Sequence, residues 1–145
     1  MTSETTWVVV ADGNAARFFV RAREGVPLTE LTDLALTADA ERRARGGDTA
    51  VHEGVNHGHQ AHPAHENRQD SGERVFLRHI AGRLNLAVEE HAVGRLIICA
   101  PPRALGVIRD HVTAATRALV VAEIAKDLVR EGVREIDERL KPSKV

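Results

Sequence analysis

At 145 residues, with 43% hydrophobic and 28% charged side chains, the chain reads as one globular domain over 1–145, and wholesale disorder is excluded. A domain of this size buries roughly 68–70% of the surface its unfolded chain exposes, so folding requires neither a metal nor a disulfide. The net charge of −1 excludes the broadly basic balance of a free-standing nucleic-acid binder and leaves room only for a local patch.

The first 25 residues show no basic stretch leading into an apolar run, and no apolar run approaches the ~20 residues that cross a bilayer. The expectation is a cytoplasmic protein with no membrane partner. Trp7, Phe18, Phe19 and Phe76 are the whole aromatic set, so Val, Leu, Ile and Ala must build most of the core.

Trp7-Val-Val-Val-Ala11 is β-branched and apolar on both faces, as a central strand is. Asp12-Gly13-Asn14 is a turn signal, and Ala15 to Arg21 is strand-like again, which together predict a β-hairpin. After a turn at Glu24-Gly25, Leu28, Leu31 and Leu34 recur every third residue. That spacing fits a third meander strand or a short helical turn. From Thr37 to Ser71 there is no hydrophobic periodicity, only a stretch rich in Arg, Gly, Asp, Asn and His. Structureless connections of this length are uncommon in compact domains and are often functional, so 37–71 is expected to be a long flexible loop.

Asp70 or Ser71 is placed to cap a helix with Glu73 in its first turn. Phe76, Ile80, Leu84, Ala87, Val88 and His91 then follow at helical spacing. Leu96 to Cys99 reads as a buried strand stopped by Pro101-Pro102, and Leu105, Ile108 and Val112 mark a helix. Cys99, the single cysteine, reads as a small buried hydrophobe. Val120 to Ile124 fits a last strand, with helix as the alternative, and Lys126-Asp127 would be its polar end. Val133, Ile136 and Leu140 give a final amphipathic helix before Pro142. The fold class is therefore α/β: a mixed five-stranded sheet, β-meander followed by βα units, with flanking helices.

Three segments carry a resemblance. Trp7 to Arg17, Leu96 to Gly106 with its Pro101-Pro102-Arg103 step, and Val120 to Leu128 resemble, in order, segments of the bacterial host-attachment protein family. The family's fold is similar to the ribonuclease-H-like middle domain of archaeal and eukaryotic peptide-chain release factors. In those factors the loop before the main helix carries Gly-Gly-Gln, whose glycines let the backbone enter the peptidyl-transferase centre and whose Gln positions a water. The corresponding stretch here is Gly58-His59-Gln60, with a bulky His where the second glycine stands, and Arg43 to Asp48 replaces the family's Pro-Gly-Arg segment. The resemblance implies contact with tRNA or the ribosome through the 46–69 loop, with Gln60 as the candidate catalytic residue and Gly58, His59, Arg68 and Arg103 as candidate binding residues.

The residues themselves suggest other readings. His52, His57, His59, His62 and His65 share one loop with Glu53, Glu66 and Asp70, a donor set suited to a divalent metal or to a metal-binding adaptor. A solvated polar loop explains the same composition. Arg42, Arg43, Arg45 and Arg68 could meet phosphates, without aromatic platforms beside them. Asp12 ends a strand as a nuclease acid would, yet two-metal chemistry needs several converging carboxylates and a turn-forming Asp suffices. Arg103 stands past a buried strand at a helix start, where anions often bind. A non-enzymatic interaction or regulatory protein is the alternative function. No nucleotide, P-loop or serine-hydrolase fingerprint occurs.

Overall fold

Six residues in a row, Thr6–Ala11 (β1), are buried, because this strand has a neighbour on each side and a layer on each face. The computed structural model describes residues 4–41, 43, 44 and 64–141, with the side chains of 64–71 excepted. β1 pairs antiparallel with β2 (Ala15–Arg21) and parallel with β5 (Arg95–Cys99), which pairs parallel with β6 (Val120–Ile124). With β3 (Thr29–Glu30) the sheet order is β3-β2-β1-β5-β6.

The third meander strand is not one strand. β3 (Thr29–Glu30) and β4 (Leu36–Thr37) both pair with β2, and the 3-10 turn Thr32–Leu34 lies between them. The described sheet thus has six strands rather than the five expected. The every-third-residue leucine pattern suits neither a continuous strand nor an α-helix, and the chain uses both short forms. Leu31 and Leu34 pack against the core from this interruption.

The helix α1 (Ala64–Glu89) starts earlier than the caps at Asp70 and Ser71 suggested, and Glu73 sits in its third turn. Residues 38–41 are also helical. Residues 38–41, 43, 44 and 64–71, expected within the 37–71 loop, are thus helical, and 45–63 lies outside the described residues. The reason is physical. Residues 64–71 are polar all round, so no hydrophobic period announces a helix there, while Ala, Glu, Arg and Gln still favour one.

At its other end α1 stops at Glu89. His91 adopts φ +61°, the N–H of Ala92 donates to the carbonyl of Ala87 and that of His91 to Val88. This is a Schellman ending with His in the position usually held by Gly. His91 is thus the terminator of the helix and not part of its apolar face.

Two helices follow β5. α2 (Pro102–His111) was foreseen. α3 (Ala114–Leu119) was not, although Thr113 caps it, its Oγ accepting the Thr116 N–H at 3.2 Å. β6 is a strand, as the first of its two readings had it, and ends at Ile124 before Lys126. α4 (Val133–Leu140) closes the described chain.

Strand alternation sorts the core into two layers. Trp7, Val9, Phe18, Leu96 and Ile98 face α1 and α2, with Trp7 and Phe18 edge-to-face at 6.2 Å. Val8, Val10, Phe19 and Cys99 face Ile136 of α4 and Leu128 in the segment before it. The molecule is a single mixed α/β domain with helices on both faces of the sheet. Its sheet margins are blunted, one by the broken β3/β4 pair and the other by a register irregularity at Val121 in β6. Among the described residues no helix is long and apolar enough to cross a membrane.

Candidate functional site

β1 and β5 are parallel neighbours whose chains leave in opposite directions, β1 turning back into β2 and β5 crossing over to β6. Such a divergence opens a crevice beyond the strands' carboxyl ends. A cleft of about 120 Å³ is found there, lined by Gly13, Glu73, Arg74, Leu77, Pro101, Arg103, Ala104 and Val107.

Three elements contribute. The Asp12-Gly13-Asn14 turn forms one wall. It is held by Asp12, whose Oδ1 accepts the N–H groups of Asn14 and Ala15, each at 2.8 Å. That double bond occupies Asp12 as a turn former, the reading favoured over a nuclease acid. α1 supplies Glu73, Arg74 and Leu77. Glu73 lies directly over Gly13, and a Cβ added at position 13 would fall 2.8 Å from its Oε1, so this close approach depends on glycine. The third wall is the start of α2. Pro101 is its N-cap without a side-chain cap, and Pro102 occupies the first helical position.

The described residues flanking 45–63 are fastened at this same end of the sheet. The Ala38 N–H donates to the carbonyl of Asn14 at 2.8 Å, and Glu41 lies 2.9 Å from Nδ1 of His79 on α1. On the return side α1 meets the turn at Glu73 and Gly13, with more than two helical turns preceding that contact.

A family model described as "protein required for attachment to host cells" matches residues 7–140. The chain belongs to this host-attachment family. No curated protein matches it.

Of the candidate site residues in this host-attachment domain, Arg103 lines the cleft and is exposed. Gly58, His59 and Gln60 lie outside the described residues, as do His52, His57 and His62. The backbone of His65 and Arg68 belongs to α1, but their side chains are not described. Among the described residues no three His, Cys, Asp or Glu side chains gather as a metal site. The proposed ligand histidines fall almost wholly outside that set.

Sequence reasoning missed Gly13, Glu73, Arg74, Leu77 and Ala104 as neighbours of Arg103. Gly13 carried a signal, since it ends the central strand. Glu73 and Arg74 carried none, because their approach to the turn depends on where α1 crosses the sheet.

Cys99 is fully buried on the α4 face, and desolvation pushes its thiol up to about 12. The thiolate is the reactive form. The native protein is therefore expected to resist maleimide labelling at pH 8 while the urea-unfolded chain labels within minutes. Fast native labelling would contradict the packing of this face.

Proposed function

We infer that this domain acts in translation inside the cell, presenting the segment around Gly58-His59-Gln60 to tRNA or the ribosome. One observation carries the reading: before that segment Ala38 bonds to Asn14 in the turn that follows β1, and after it α1 reaches the same turn at Glu73 over Gly13. A long connection held at both roots on a rigid sheet is how a fold positions a contact loop. The resemblance to release-factor middle domains supplies the target. A meander joined to a parallel strand trio supports the ribonuclease-H-like relationship. In this reading Gln60 orients the hydrolytic water, Gly58 gives the backbone freedom for close approach, and His59, Arg68 and Arg103 contact RNA.

The family's description favours a second reading, a non-enzymatic interaction protein on which attachment to host cells depends indirectly. Ribosome co-sedimentation separates the two. The native protein is expected in ribosomal fractions at low salt and to leave them progressively as salt rises, because phosphate contacts are screened. Gln60→Ala is expected to sediment like the native protein yet lose peptidyl-tRNA hydrolysis by at least about a hundredfold, the scale on which a positioned catalytic group acts. Absence of the native protein from ribosomal fractions at every salt concentration removes the first reading and leaves the second.

A further inference from the structure

We draw no further inference here: the strongest candidate, the outer margin of the sheet at β6, where Val121 is exposed next to the half-buried Ala122 and Ile124, is an apolar surface and nothing in the structure shows what covers it.

Discussion

Arg17→Met is expected to cost about 2–3 kcal/mol and to loosen α4 before the rest of the domain unfolds. In the folded protein the Arg17 guanidinium bridges three parts of the chain. Its Nε and Nη2 donate to Glu30 at 3.0 and 2.9 Å, and its Nη1 donates to the carbonyls of Val129 and Glu131 at 2.7 and 2.6 Å. It also lies 5.1 Å from the ring centroid of Phe19 on the same face of β2. Hydrogen bonds to a charged group contribute about 1.5–3 kcal/mol each, yet they are not additive, and water replaces part of what a half-exposed site loses. Methionine keeps the aliphatic stem, so the loss reports the guanidinium. Arg21 on the same face binds Asp137 at 3.2 Å but its own buried Nε has no partner among the described residues, so it is the weaker of the two fasteners.

The pH dependence follows from Glu30. The hydrogen bond from Arg17, then its charge, holds the Glu30 carboxyl below its ordinary range against the opposing effect of burial. A carboxyl depressed in the folded state contributes stability that is complete above its unfolded pKa of about 4.3, and loses it as pH falls through the lower folded value. The gap between native protein and variant, measured by urea titration, should therefore be constant near neutrality and narrow below about pH 4. Hydrogen exchange at the Ile136 and Asp137 amides should quicken in the variant while that of β1 changes less. Unchanged exchange in α4 would show that Arg17 does not fasten it.

How much of this was readable in advance depended on whether a signal was local. β1 and β5 were legible because a continuous run of buried residues needs no context: Val8, Val9 and Val10 are apolar wherever they point. The anchor row of α1 was legible from Phe76 to Ala87 for the same reason, its period matching the face that packs. Its polar first turns carry no apolar stripe and so look like loop in the sequence. The split of the third strand was invisible because each half is two residues long, below the length at which any period can be counted. α3 is hard to see although Thr113 announces it, because a six-residue helix shows barely two turns of pattern.

The cleft shows the same division. Arg103 was singled out since Pro101-Pro102 marks a strand end and a helix start within four residues. Glu73 was read as a first-turn residue beside its cap, and its true neighbour, Gly13, is sixty positions away in the sequence. No local pattern pairs them. Only the crossing of α1 over the β1 turn does so.

Phe76 is the largest side chain that α1 packs into the core at that crossing, and Phe76→Ala is expected to be the most destabilising of the changes considered, by about 3–5 kcal/mol. Phe76 is 2% exposed and stands one turn beyond Glu73, against the layer that includes Val9, Phe18 and Ile98. Truncation removes the transfer energy of the ring and leaves a cavity, which neighbours fixed in a sheet fill only partly. The aromatic set is so small that no other ring can move in: Trp7, Phe18 and Phe19 are all buried in strands. Against a total stability of roughly 5–15 kcal/mol this loss is large, and at about 3 °C per kcal/mol the midpoint of thermal unfolding should fall by about 9–15 °C. Phe76→Leu, which keeps most of the volume, should lose less than half as much. A loss below about 1 kcal/mol for Phe76→Ala would mean that α1 is held over the β1 turn by something other than this packing.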